Sequence, residues 1–115
     1  MDIEWIRGYC LSLPHTTEDI QWESLLFRIA RKIYVMASLD GTGKSLLCFK
    51  CTPEEFAELI EIEGIIPAPY LARNHWVSLS SLDALPRQEI KQRILGSYNL
   101  VRGKLPKRTQ LELEG

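Results

Sequence analysis

Two prolines followed by a tryptophan-led alternating run constrain the fold of this chain more than any other feature. Pro67 and Pro69 have no amide proton, so the segment that contains them belongs at a sheet edge or at a strand start. The run Trp76–Leu79 has the period of a strand, in which Trp76 and Ser78 face opposite to Val77 and Leu79. Arg73-Asn74 predicts a tight turn between the two segments. We therefore predict an edge strand, a polar turn and a returning strand.

Three β-rich runs precede this segment, namely Leu25–Ala30, Ile33–Ser38 and Ser45–Lys50. The first two meet at Arg31-Lys32. The second and third are joined through Asp40-Gly41-Thr42-Gly43, whose glycines supply the positive φ that hairpin loops require. This pattern predicts an antiparallel meander. The polar stretch from His15 to Glu23 is expected to be a loop.

Two helices are predicted in the first two thirds of the chain. One begins after Asp2, the expected N-cap, and ends at Pro14. The other begins with Thr52-Pro53-Glu54-Glu55, which has the residues of a capping box with proline at the first helical position, and stops at Gly64. Its predicted core face consists of Phe56, Leu59 and Ile60.

A third helix is predicted from near Pro86 to about Gly103. Its apolar positions repeat at helical offsets: Ile90, Ile94, Tyr98, Val101 and Leu105. Gly96 interrupts the helix, and we expect it to permit a close approach of a neighbouring element.

The predicted order of elements is α-β-β-β-α-β-β-α. Such an order indicates an α+β fold, a two-layer sandwich in which the helices cover one face of an antiparallel five-stranded sheet. We predict a single domain over residues 1–106, followed by a flexible C-terminal tail at 107–115. A chain of 115 residues is long enough to bury one sizeable core.

Composition predicts a cytoplasmic protein. The 45% hydrophobic and 25% charged residues are typical of a globular domain, and no apolar run approaches the roughly 20 residues that cross a bilayer. The acidic beginning does not have the order of a signal peptide. Three cysteines are an odd count, which fits a reducing compartment.

Charge is distributed unevenly along the chain, although the net charge is only −1. Between Arg87 and Arg108, seven basic residues accompany a single acidic residue, Glu89. This asymmetry has two readings: a surface that faces a polyanion, or basic side chains that only solvate a helix and a tail.

Two motifs suggest chemistry but lack the structure that it needs. Ser38–Ser45 approaches a phosphate-binding loop, yet serine stands where the first glycine belongs and a strand is predicted where a helix should follow. Cys48 and Cys51 form a C-x-x-C whose spacing along a strand places the two thiols on opposite faces. We interpret Ser38–Ser45 as a plain hairpin loop. We interpret Cys48 and Cys51 as buried, small apolar residues rather than as a redox pair or metal ligands. We predict no catalytic residues, no cofactor and no metal site.

Basic residues at the predicted turns are the remaining functional signal. Lysine and arginine at hairpin tips can contact phosphate oxygens, as in winged DNA-binding domains. The alternative is that turns are simply exposed and polar. The candidate contacts are Arg31, Lys32, Lys44, Arg73, Asn74 and His75, with Lys104, Lys107 and Arg108 as auxiliary phosphate partners.

Several separated motifs resemble the MmcQ/YjbR family of small bacterial proteins. They are Phe49–Glu54, Pro67–Leu71 with the basic tip and His75-Trp76-Val77, Ser97–Val101, and Lys104-Leu105-Pro106. The resemblance implies a secretion-chaperone-like α+β fold and the family's description as a DNA-binding protein with a double wing of hairpins. It supplies no catalytic residues.

The sequence leads to two hypotheses of function. The first is a non-catalytic protein that binds DNA weakly and without sequence preference through its basic hairpin tips. The second is a protein–protein interaction module that uses the acidic second helix or the proline-bearing sheet edge, since an exposed edge can accept a partner strand.

Overall fold

The computed structural model describes residues 3–39, 46–69 and 72–114. Within these ranges the chain forms six strands, four α-helices and one short 3-10 helix. In chain order they are α1 (Glu4–Ser12), β1 (Thr16–Gln21), β2 (Ser24–Ile29), β3 (Lys32–Ser38), β4 (Leu47–Lys50), α2 (Pro53–Leu59), β5 (Ile65–Pro67), the 3-10 helix (Ala72–Asn74), β6 (Trp76–Leu79), α3 (Arg87–Gly103) and α4 (Lys107–Glu114).

The six strands form one antiparallel sheet with the order β1-β2-β3-β4-β6-β5. The meander β2-β3-β4 is confirmed. So is the edge position of the proline-bearing strand β5, which pairs with β6 alone. Proline tolerates that place because its missing amide proton breaks no interior ladder.

One face of the sheet carries the core. Residues that are paired across the strands form a continuous apolar row: Phe27, Val35, Phe49 and Val77. α1, α2 and α3 cover this row with their own buried residues, so the predicted two-layer α+β arrangement is confirmed. All five residues of the predicted apolar face are buried: four lie on α3, and Leu105 follows its C-cap.

The opposite face of the sheet carries a smaller apolar cluster. Cys48, Ala68 and Trp76 are buried there, and Ile33 and Met36 pack against them. Cys51 belongs to the main core, so the two cysteines of the C-x-x-C lie on opposite faces, as predicted. Trp76 is a buried anchor of the last hairpin.

A sixth strand, β1, replaces the loop expected at His15–Glu23. Its residues are mostly polar because β1 is an edge strand that pairs only with β2. Ion pairs hold it in place, from Arg7 to Glu18 at 2.6 Å and from Arg28 to Asp19 at 3.0 Å. The turn that joins β1 to β2 lacks the glycine that usually marks a hairpin, because its two positive-φ residues are Trp22 and Glu23.

Four smaller expectations are also corrected. Asp2 lies outside the described residues, and Ile3 occupies the N-cap position of α1 without a side-chain cap. α2 ends at Leu59, and Ile60 is exposed instead of facing the core. The segment assigned to a C-terminal tail is helical as α4. A Cβ atom at Gly96 would meet nothing within 4 Å, so this glycine serves no close approach.

The capping box that opens α2 is confirmed. The Thr52 hydroxyl accepts a hydrogen bond from the Glu55 amide, and the Glu55 carboxylate accepts one from the Thr52 amide. Among the helices of the described residues, none combines the length and hydrophobicity that a membrane crossing requires.

Candidate functional site

Strand register brings several predicted site residues to one end of the sheet. β3 begins at Lys32 and runs antiparallel to β4, which ends at Lys50, so these two lysines lie at the same end. Lys50 also pairs with Trp76, the first residue of β6, and Asn74 precedes that strand by two residues. The antiparallel topology therefore assembles this end from three separate stretches of the chain.

The C-terminal end of α3 completes the same region. Ser97 fixes the helix to the strands: its hydroxyl donates to the Tyr34 carbonyl at 2.6 Å and accepts from the Lys50 amide at 2.9 Å. Beyond Ser97 the helix continues to Gly103, and Lys104 follows as its C-cap.

An open pocket of about 420 Å³ lies where these elements meet. Four polar residues contribute to its lining: Lys32, Lys50, Lys104 and Asn74. The rest of the lining is apolar: Ile33, Trp76, Val101, Leu105 and Pro106. None of the described residues that line the pocket is acidic. We call this feature the lysine pocket.

The charges of the lysine pocket are not neutralised by the protein residues described. Within residues 3–39, 46–69 and 72–114, none of its three lysines forms an ion pair. The Lys50 ammonium donates to the Asn74 carbonyl at 2.7 Å. Partial burial lowers the pKa of Lys50 from its ordinary value, and the positive charge of Lys104 lowers it further. An anion in this pocket would relieve that repulsion.

The structure brings together three of the predicted site residues, Lys32, Asn74 and Lys104. Arg31 and Arg73 are exposed and are the chain neighbours of Lys32 and Asn74, but neither lines the lysine pocket.

The remaining candidates lie elsewhere. Lys107 and Arg108 are exposed in the first turn of α4, where Arg108 lies 3.8 Å from Glu112. Lys44 is outside the described residues. Leu39 and Leu46, which flank that part of the chain, lie at the opposite end of β3 and β4.

His75 does not line the lysine pocket. Its ring packs edge-on against Phe56 of α2 at a centroid distance of 5.6 Å. Its carbonyl accepts from the amide of Cys51 at 2.9 Å and from the thiol of the same residue at 3.3 Å. Its backbone has a φ of 63°, a conformation that non-glycine residues rarely adopt. In this structure His75 joins the last hairpin to α2.

Lys50 is the site residue that sequence reasoning missed. Its place at the end of a strand was apparent, but only the register of β4 against β3 and β6 shows which other residues share that end. A lysine that ends a β-rich run was the available signal.

Most of the basic residues on α3 contact aromatic rings or carboxylates of the protein itself. For this part of the chain, the charge asymmetry therefore fits basic side chains that cover a helix surface better than a surface that faces a polyanion. The Arg87 guanidinium lies 4.7 Å from the ring centre of Trp5, and the Lys91 ammonium lies 5.7 Å from that of Tyr9. Arg93 pairs with two carboxylates, those of Glu55 and Glu89. Lys104, at the end of the helix, is the exception that reaches the lysine pocket.

Of the two motifs noted in the sequence, the structure describes the cysteine pair and only Ser38 and Leu39 of the Ser38–Ser45 motif. Burial raises the pKa of Cys51 to about 11 and also raises that of Cys48, so both thiols stay protonated at neutral pH. Most of the loop-like Ser38–Ser45 motif lies outside the described residues, and the element after it is strand β4. In the described part of the chain, no three His, Cys, Asp or Glu side chains are grouped to hold a metal ion.

A family model and a curated relative place this chain in the same family. The family model described as YjbR matches residues 11–100. The uncharacterized protein YyaQ of Bacillus subtilis is 30% identical over 92 residues, which cover 79% of this chain and 75% of that protein.

Solved structures agree with this match. The crystal structure of the Deinococcus radiodurans protein DR2400, with family-model domain DUF419, superposes with a TM-score of 0.85 at 27% identity and covers 97% of this chain and 87% of that one. A protein from Pseudomonas syringae shares the fold at a TM-score of 0.67 and 23% identity, over 87% of this chain and 98% of that one. The family resemblance seen in the sequence motifs is confirmed, and the chain belongs to the YjbR family.

Proposed function

We propose that this protein is a non-catalytic, cytoplasmic protein that binds DNA weakly and without sequence preference, and that the lysine pocket is the centre of its contact surface. One observation carries the proposal. Three lysines from three separate elements converge on one pocket, and no described lining residue neutralises them. Phosphate oxygens are the ligands that such a group of ammonium ions favours.

Exposed side chains next to the pocket extend this surface. Arg31 belongs to the turn between β2 and β3, and Arg73 to the 3-10 helix before β6. Each arginine is next in the chain to a residue that lines the lysine pocket: Arg31 precedes Lys32, and Arg73 precedes Asn74. In the proposal the turn and the 3-10 helix serve as the two wings, which hold the DNA backbone on either side of the pocket.

Weak and sequence-independent binding follows from the chemistry of this surface. Ammonium groups contact phosphates as point charges and do not read base edges. The protein as a whole carries a net charge of −1, so no strong general attraction to DNA adds to the local one. The free, buried cysteines agree with the reducing cytoplasm as its compartment.

Fluorescence anisotropy with a labelled duplex tests the proposal. If the three lysines alone neutralise three phosphates, the logarithm of affinity falls with the logarithm of salt concentration with a slope of about −2.7. Each phosphate contact by Arg31 or Arg73 steepens this slope by about 0.9. Between about 50 mM and about 200 mM salt, affinity then drops by at least roughly 40-fold. Two duplexes of unrelated sequence are expected to bind equally well. Absence of binding at low salt, or binding that salt does not weaken, would refute the proposal.

A matched pair of variants on the same helix separates the pocket from general charge. Lys104→Met removes one pocket charge and is expected to reduce the salt slope by about 0.9. Lys91→Met removes the same charge from the part of α3 that contacts Tyr9, away from the pocket, and is expected to leave the slope unchanged. Equal effects of the two substitutions would mean that net charge, and not the lysine pocket, governs binding.

A second candidate function is a protein–protein interaction, and one observation favours it at a place that the sequence did not indicate. Trp22 and Ile20 are 79% and 63% exposed beside the open edge of β1. Such an edge can accept a strand from a partner, with the two apolar side chains as additional contacts. A Trp22→Ser variant that loses a partner captured from nuclease-treated lysate would support this function, and one that captures the same proteins as wild type would count against it.

A further inference from the structure

The lysine pocket has a second property that phosphate binding does not require. Its lining residues other than the lysines and Asn74 are apolar, and we call them the apolar wall: Ile33, Trp76, Val101, Leu105 and Pro106. A site that contacts only the phosphate backbone needs charge at the surface and no apolar cavity. We propose that the pocket takes one unpaired nucleotide, with its phosphate on the lysines and its base against the apolar wall. This inference rests on the proposed function and deepens it: the preferred ligand is single-stranded DNA.

The size of the pocket fits this occupant. Its volume of about 420 Å³ falls within the roughly 300–1,000 Å³ of sites that hold small organic ligands. A base inside a duplex has both of its faces covered by neighbouring bases, so only an unpaired base is available to enter. A positively charged groove with an aromatic wall is the usual construction of single-strand binding sites.

Two members of the apolar wall, Trp76 and Leu105, are buried and packed against other apolar residues. Trp76 is only 8% exposed and packs against Cys48 and Ala68 in the smaller apolar cluster. Leu105 is 5% exposed and belongs to the main core. A base that enters therefore meets a surface that is already in place, and little side-chain entropy is lost on binding.

The polar groups at the pocket suit a nucleotide of any sequence. The Asn74 side chain offers both a donor and an acceptor, so it can pair with the edge of any base. The three lysines supply charge for the phosphate that accompanies the base and for its neighbours along the strand. No described lining residue is acidic, which disfavours a cationic ligand.

Three probes test the inference by anisotropy and competition. They are a labelled oligothymidylate of roughly 12 nucleotides, an abasic strand of the same length and phosphate count, and free thymidine monophosphate. Because contact between a base and an aromatic wall strengthens binding, we expect the oligothymidylate to bind at least roughly 5-fold more tightly than the abasic strand. Free thymidine monophosphate, with one phosphate, is expected to compete only weakly.

A pair of asparagine variants locates the effect. Asn74→Phe places a bulky side chain at the lysine pocket and should abolish the preference for the oligothymidylate over the abasic strand. Asn99→Phe makes the same change at an exposed position of α3 that does not line the pocket, and should leave the preference intact.

The outcomes separate the inference from the proposed function. Equal, salt-sensitive binding of the two strands would overturn the base pocket and leave DNA binding standing. Free thymidine monophosphate that binds as tightly as the strand would support the pocket and overturn DNA as its ligand. Absence of binding by all three probes would overturn the inference, and the labelled duplex at low salt then decides whether the proposed DNA binding stands.

Discussion

Ser97 fastens α3 to the strands that build the lysine pocket, and its removal is expected to be costly. Its side chain is fully buried, and its hydroxyl makes two hydrogen bonds, to the Tyr34 carbonyl and from the Lys50 amide. Ser97→Ala removes both hydrogen bonds, and the buried site has no space for another polar group to take the place of the hydroxyl. The substitution leaves an amide and a carbonyl of two different strands without their partner.

The magnitude follows from the cost of an unsatisfied buried polar group, which is about 1–3 kcal/mol. With one donor and one acceptor affected, we expect the free energy of unfolding to fall by about 2–3 kcal/mol. A domain of this size loses roughly 4 °C in Tm for each kcal/mol, so the expected decrease is about 8–12 °C.

Urea denaturation followed by circular dichroism measures this change, with Ser12→Ala as the matched control. Ser12 is exposed at the end of α1, where its hydroxyl contacts the Tyr9 carbonyl, and its substitution should change stability by less than about 0.5 kcal/mol. If Ser97→Ala unfolds at the wild-type midpoint with an unchanged slope, the two hydrogen bonds do not hold α3 in place and the reasoning is wrong.

Two further predictions concern stability. Gly96→Ala should raise the free energy of unfolding by about 0.5–1 kcal/mol, because the added methyl group meets open space inside a helix, and a lower urea midpoint would contradict this. Raising the pH should destabilise the protein through its buried thiols. The fold raises the pKa of Cys51 to about 11 and that of Cys10 to about 12, each from an ordinary 9.0, so the native protein keeps protons that the unfolded chain releases. Stability is therefore lost as the pH rises above 9, by about 1 kcal/mol for each thiol at about pH 10, and equal urea midpoints at pH 8 and pH 10 would refute this.

The elements that the sequence predicted well are those in which one local signal dominates. The four apolar positions of α3, at Ile90, Ile94, Tyr98 and Val101, repeat at helical spacing, and burial of that face is the largest energetic term for a helix of this length. The capping box at Thr52 uses side chains three residues apart, so no tertiary information is needed. Prolines at 67 and 69 indicate the sheet edge for a similarly local reason.

The missed elements depend on contacts between distant parts of the chain. β1 has little apolar alternation, and it exists because β2 offers its amides and carbonyls and because two ion pairs cross from its neighbours. α4 is short and mostly polar, with Leu111 exposed and Leu113 packed on the core. Its start directly after Pro106 was a usable signal, since proline is favoured at helix beginnings.

The candidate site was predicted in part for the same reason. Lys32 and Asn74 were identified because each lies at a recognisable turn, and Lys104 because it follows a helix. That the three meet, and that Lys50 joins them, depends on the register of β3, β4 and β6, which no single stretch of sequence contains. His75 also lies at a turn, but its ring packs on α2.

Amide chemical-shift mapping during a titration with oligothymidylate at low salt tests the central claim most directly. If the lysine pocket is the binding site, the largest shifts occur together at Lys32, Lys50, Asn74, Trp76 and Lys104, and they diminish as salt is added. Shifts that cluster instead on the acidic helix α2 or along the edge strand β1, or that stay within noise at low salt, would contradict the account.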